Sequence, residues 1–149
     1  VAPLFTPVSE TKGAGLSEEQ PVNMMAYRYP VLAVRADMEA DKAYAVTKAL
    51  DETYGLYKSA TATASRYEIA RAGRPPIDAP FHEGAIRYLK EKGVWRDADQ
   101  QWNDQRLARL NALKAAWKQT VTAGEDLDDD AFEALWAKRR EQALAQLSG

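Results

Sequence analysis

The chain has 149 residues, 46% hydrophobic and 28% charged, which suits one soluble domain or a lobe with an appendage. Lys and Arg number 20 against 22 Asp and Glu, a formal charge of -2, so nothing points to the basic face that nucleic acid needs. Cysteine is absent, which removes disulfides, thiolate metal sites and cysteine nucleophiles together.

Residues 1–21 read as loop, punctuated by Pro3, Pro7, Gly13, Gly15 and Pro21, with only 1–5 able to form a short strand. The opening VAPLFTPVSE has neither a basic region nor a long apolar one, so a signal peptide is expected to be processed away or to lie upstream. From 22 to 35 the chain reads as extended, carrying Met24, Met25 and Tyr27 and then VLAV at 31–34. Pro30 cannot donate to a ladder and marks an edge, a bulge or a crossing between sheets. The 31–34 run lacks polar alternation, which predicts a strand covered on both faces. It is far too short to span a bilayer.

Asp37 reads as the N-cap of a helix over 38–57, with Asp41 one turn further in. That helix lines up Ala43, Val46, Leu50, Tyr54 and Tyr57 on one face. Gly55 weakens its last turn, and the Thr/Ala/Ser run at 59–65 fits helix and loop alike. A short helix near 67–72 should end at Gly73, stopped by Arg74-Pro75-Pro76, and 77–80 must connect without helix. A helix over 82–92 opens at the single histidine, buries Ile86 and Leu89, and ends at Gly93 with Lys90 and Lys92 in its last turn.

Beyond Trp95 the texture changes. Trp102, Arg106, Leu110, Leu113, Trp117 and Val121 recur at helical spacing and predict a helix over 100–122. EDLDDD at 125–130 opens a last helix over 130–147, with Asp130 and Glu133 spaced as a capping box and Phe132, Leu135, Trp136, Leu144 and Leu147 as its apolar face. The two helices form an antiparallel hairpin. With Trp117 in its core, Trp117→Ala costs on the order of 3 kcal/mol.

EDLDDD is not a calcium loop. From Asp126 the sixth and twelfth positions are Ala131 and Ala137, where an EF-hand needs Gly and Glu. Acid at a helix N-terminus explains it. His82 has no converging partners for zinc, nor a nucleophile or carboxylate in reach for catalysis, and reads as a capping or packing residue. Gly13-Ala14-Gly15 lacks phosphate-loop spacing and reads as a turn. The helical tryptophans read as core, and Lys138, Arg139 and Arg140 as a solvated turn. No set of nucleophile, base and metal is visible, so neither enzyme activity nor a cofactor is expected.

Two stretches carry a resemblance. YPVLAVRADMEADKAYAVTKAL at 29–50, followed after a polar loop by FHEGAIRYLKEKG at 81–93, resembles the C-terminal part of the TAXI-type solute-binding proteins of TRAP transporters. The second stretch is similar to their late HPGAIRYYKEKG helix, with Glu83 in place of proline and Leu89 in place of tyrosine. The resemblance covers about 12–95, and WNDQRLARLNALKAAWK resembles a helical tail that some members carry. It implies an α/β, helix-rich fold: the C-terminal portion of a type II periplasmic-binding-protein fold with few strands, then a helical hairpin. Residues 1–95 would be a partial lobe with a hinge-crossing strand, and 96–149 the hairpin. It further implies an extracytoplasmic receptor, without enzyme activity, that closes two lobes around a small anionic solute and presents it to TRAP membrane subunits. Residues 22–29 would cross between the lobes, making Lys12, Met25 and Tyr27 the candidate solute contacts. A lobe without its other half is open to self-association. The alternative is a helical protein–protein interaction module built on the tryptophan-bearing hairpin, without a small-molecule ligand.

Overall fold

In the computed structural model the described residues are 6–11, 13–28, 30–61, 63–77 and 79–147. The chain divides into two compact units, Val1–Asp99 and Gln100–Gly149.

The first unit opens with strands β1 (Thr6–Glu10) and β2 (Val22–Ala26), paired antiparallel with Thr6 opposite Ala26 and Glu10 opposite Val22. β1 falls where loop is expected from the two prolines. Pro7 sits opposite Met25 and costs the ladder one donor, which a two-stranded ribbon tolerates because both strands are edges. The strand expected at 1–5 lies outside the described residues.

Residues 31–34 are not a strand. Val31, Leu32 and Val34 are all exposed, and among the described residues no strand pairs with them. An unalternated apolar run becomes a buried strand only when neighbours supply a ladder and cover for both faces.

The next correction concerns the helix start. Asp37 does not cap it, because Arg35 takes both carboxylate oxygens at 2.8 Å. Glu39 occupies the N-cap without a side-chain bond, and α1 runs Ala40–Glu52. Thr53 interrupts the expected continuation, leaving α2 as the single turn Tyr54–Tyr57. Along the expected apolar face only Ala43 is buried, while Val46 is exposed. After a 3-10 turn (Ala64–Tyr67), α3 (Ile69–Ala72) ends at Gly73 as its sequence signals require.

Helix α4 (Glu83–Glu91) follows the expected pattern closely. His82 caps it, its Nδ1 accepting the Gly84 amide at 3.1 Å, and Gly93 ends it at φ 68. Tyr88 and Leu89 are buried, and Ile86, Leu89, Val94 and Trp95 form a core on which Ile69 and Phe81 pack. Helices α1 and α4 make the most extensive helix pairing of this unit. Gly84 sets its closeness, since a Cβ there would lie 2.0 Å from the Ala40 carbonyl oxygen.

The second unit holds most of α5 (Asp97–Ala123) and all of α6 (Asp129–Ala145). Between them the Gly124 amide closes on the Thr120 carbonyl at 2.8 Å and the Leu127 amide on that of Gly124 at 3.1 Å. The α6 cap is Asp128, which accepts the Ala131 amide at 2.8 Å, so the Asp130–Glu133 capping box does not form. Trp117 meets Phe132 and Trp136 edge-on at 5.7 and 5.1 Å.

Trp117 is nevertheless 46% exposed and Val121 is exposed too, whereas Asp99, Asn103, Ala116 and Thr120 are the buried positions of α5. The expected stripe is covered only in part: Trp102, Leu110 and Leu113 are half-buried, while Trp117 and Val121 stay exposed and the smaller Ala116 and Thr120 are buried instead. The full core cost of about 3 kcal/mol therefore does not apply. Edge contacts of about 0.5–1.5 kcal/mol each and partial burial give Trp117→Ala a loss of about 1–2 kcal/mol. Urea unfolding followed by far-ultraviolet circular dichroism checks this, and a loss near 3 kcal/mol would return the ring to the core.

Candidate functional site

The extended segment 22–35 carries two of the three candidate solute contacts. Met25 lies in β2 opposite Pro7 and is 51% exposed. Tyr27 follows the strand end and is 55% exposed. Lys12 lies outside the described residues. Val22, Met24, Val31, Leu32 and Val34 extend the same segment as exposed apolar side chains. Such a run is more apolar surface than an ordinary loop presents.

Arg28 ties this segment to the end of α3. Arg28 Nη1 donates to the carbonyl oxygens of Arg71 at 2.9 Å and Ala72 at 3.4 Å, and also to that of Arg74. These carbonyls sit at the C-terminal end of α3, where a helix leaves acceptors unpaired, and a cation is the natural partner there. Burial, and then the charge of Arg71, hold the Arg28 guanidinium below its usual pKa. This tie has no local signal in the residues. Arg71 and Arg74 flank Gly73 before two prolines, and nothing periodic links them to a residue more than forty positions earlier.

Asp99 is the buried carboxylate of this neighbourhood, 2% exposed. Arg96 binds it through its backbone amide at 3.0 Å and its side-chain Nε and Nη2 at 2.9 Å. Those bonds, led by the Arg96 side chain, hold Asp99 below the usual carboxylate range, with a smaller contribution from the charge of Arg74.

The α1–α4 face carries a second polar network. Arg87 lies 4.4 Å over the Tyr44 ring and pairs with Asp41 at 2.8 Å. Tyr44 donates to Glu91 at 2.6 Å. Tyr88, edge-on to Tyr44 at 5.5 Å, donates to Asp51 at 2.7 Å, and Asp51 also pairs with Lys92 at 3.2 Å. Every polar tip has a partner within the unit, so this network holds helices together. His82 is equally occupied. With Nδ1 accepting from Gly84, Nε2 carries the hydrogen and donates to the Met38 carbonyl at 3.0 Å. Among the described residues no group of His, Cys, Asp or Glu could hold a metal ion. A hollow beside α6 is lined by Ala137, Lys138, Arg140, Glu141, Leu144 and Ala145, one face of one helix. It lacks the converging walls of a solute cleft.

The NMT1-like family matches residues 3–93 of this chain, more than half its length. The chain belongs to the NMT1-like family. That family is periplasmic-binding-protein-like and related to solute-binding proteins, which gives the chain a solute-binding role at that coarse level. Its members are typically extracytoplasmic. Among the described residues no helix is long and apolar enough to cross a membrane. No curated protein and no solved structure matches the chain.

The buried tyrosine supplies a test of the α1–α4 face. Burial, then the hydrogen bond to Asp51, then the charges of Asp51, Glu52 and Glu91, raise Tyr88 well above the usual phenol value. A raised native pKa means stability that is complete below the unfolded value, about 10, and is lost as pH climbs through the native one. Urea unfolding should therefore show a decline beginning near pH 10. Tyr88→Phe should flatten part of that slope while losing about 1 kcal/mol at neutral pH. An unchanged alkaline slope in the Phe variant would show that Tyr88 is not the group responsible.

Proposed function

We propose that this NMT1-like chain is the C-terminal part of an extracytoplasmic receptor of the TAXI type, which serves a TRAP-type secondary transporter. The carrying observation is the family match over residues 3–93, which overlaps the 12–95 stretch resembling those receptors. On this reading 1–95 is a partial lobe of a type II periplasmic-binding-protein fold and 96–149 a helical tail. Residues 22–29 cross between lobes, and the exposed Met25 and Tyr27 contact the solute together with Lys12. Extended backbone with uncovered apolar side chains suits a crossing, because a second lobe would cover them. The solute is a small carboxylate or amino acid. The receptor works by cleft closure and presentation to the membrane subunits, with no chemistry, cofactor or turnover.

A second reading, a helical interaction module, draws on α5, where Leu107, Trp117 and Val121 are exposed on one face. Titration calorimetry of the chain against dicarboxylates and acidic amino acids, with size-exclusion chromatography beside it, tests the receptor reading. Cleft binding needs polar groups converging from two lobes, so the expected result is no submicromolar binding and some self-association. Submicromolar binding by a clean monomer would contradict the assignment of a partial lobe.

A further inference from the structure

We propose that the outer edge of β2 pairs antiparallel with the same edge of a second copy of this chain, joining two ribbons into a four-stranded sheet with Met24 on its two-fold axis. The pairing gives the self-association expected of a partial lobe a definite edge, but it needs only the ribbon and stands apart from the receptor reading.

β2 is uncovered in every direction except toward β1. Val22 and Met24 project on one face and Asn23 and Met25 on the other, and all four are exposed. Among the described residues only β1 pairs with it, so the opposite edge presents unpaired N–H and C=O groups. A ribbon of two strands is marginal by itself, and further strands are what stabilise it.

Proline, charge and cover are the devices that keep a strand edge from pairing. β1 has all three. Pro7 removes a donor, Glu10 brings a charge, and Val8 and Glu10 are half-buried, with Arg66 reaching Glu10 at 3.9 Å. β2 reads VNMMA and has none of them. Its outer edge is therefore the one that adds a strand, and the blunted β1 edges close the sheet at two copies.

A second copy fits because β2 is complementary to itself. About an axis through Met24, Val22 meets Ala26 of the second copy, Asn23 meets Met25, and Met24 meets its own counterpart, so all five residues pair. No like charges oppose each other, and Val22, Met24 and Ala26 of both copies make one continuous apolar row. The antiparallel direction also brings the end that carries Glu18 and Glu19 to the end that carries Arg28, opposite in charge. Five residues a side make a small contact, so the dimer is weak.

The test uses single cysteines, since the chain has none of its own. Opposed residues in the pairing lie about 4.5–5.5 Å apart between Cα atoms, within the span of a disulfide. In Met24→Cys the two thiols therefore face each other, whereas in Val22→Cys they stand about 13 Å apart. The two positions are equally exposed, 42% and 43%, so chance collision treats them alike. With oxidised glutathione as the oxidant, Met24→Cys should form covalent dimer at least about tenfold faster than Val22→Cys. Sedimentation of the unmodified chain should show a monomer–dimer equilibrium. Met24→Lys should weaken it at least about threefold, and an equimolar mixture of Met24→Lys with Met24→Glu should restore it. Equal rates for the two cysteine variants, or a chain that stays monomeric without binding solute, which leaves the receptor reading in place, overturns the pairing.

Discussion

Close backbone contact between the starts of α1 and α4 is the constraint on which the first unit depends. Only a residue without a side chain fits at position 84, since a Cβ would also fall 2.8 Å from the Tyr44 amide nitrogen. The contact is fixed at both ends by His82, whose ring accepts the Gly84 amide and donates to the Met38 carbonyl just ahead of α1. One imidazole therefore caps a helix and ties it to the neighbouring chain. Once the helices are this close, Tyr44, Arg87 and Tyr88 stack and pair across them, and Leu89 is driven into the core with Ile86, Val94 and Trp95. Van der Waals contact and apolar burial dominate here. The surface ion pairs, such as Lys42 with Glu39, add little.

The rest of the unit hangs on this core by polar ties. Arg28 fastens segment 22–35 to the end of α3, and α3 reaches the core through Ile69. The extended segment is thus anchored through Arg28 and exposed along most of its length. That arrangement suits a chain whose family binds solutes: a firm base, and a strand whose side chains are left for another surface to meet.

Much of this was legible in the residues, and what failed has physical reasons. Local signals were read correctly where they act within one turn: Gly73 and Gly93 as helix ends, His82 as a cap, Ile86 and Leu89 as core. Competition between neighbours was not. Arg35 captures the carboxylate of Asp37, and Asp128 outbids Asp130 as the cap of α6, choices that periodicity does not encode. Pairing was misread twice, at 31–34 and at β1, because a strand is a property of two segments and only one is visible at a time. On α5 the size of the apolar residues misled, since Ala116 and Thr120 are buried while Trp117 lies outside. Met25 and Tyr27 lie exposed on the 22–35 segment, and the tie of Arg28 to the end of α3 was not legible because it joins residues more than forty positions apart.

The α1–α4 seam is tested most directly by Gly84→Ala, compared with wild type by urea unfolding and amide hydrogen exchange. Alanine gains about 1 kcal/mol in helix propensity, but the seam must open to admit its methyl group. The expected net loss is about 2 kcal/mol or more, with faster exchange at Tyr88 and Leu89. A change within about 0.5 kcal/mol and unaltered exchange would contradict the claim that this contact organises the unit.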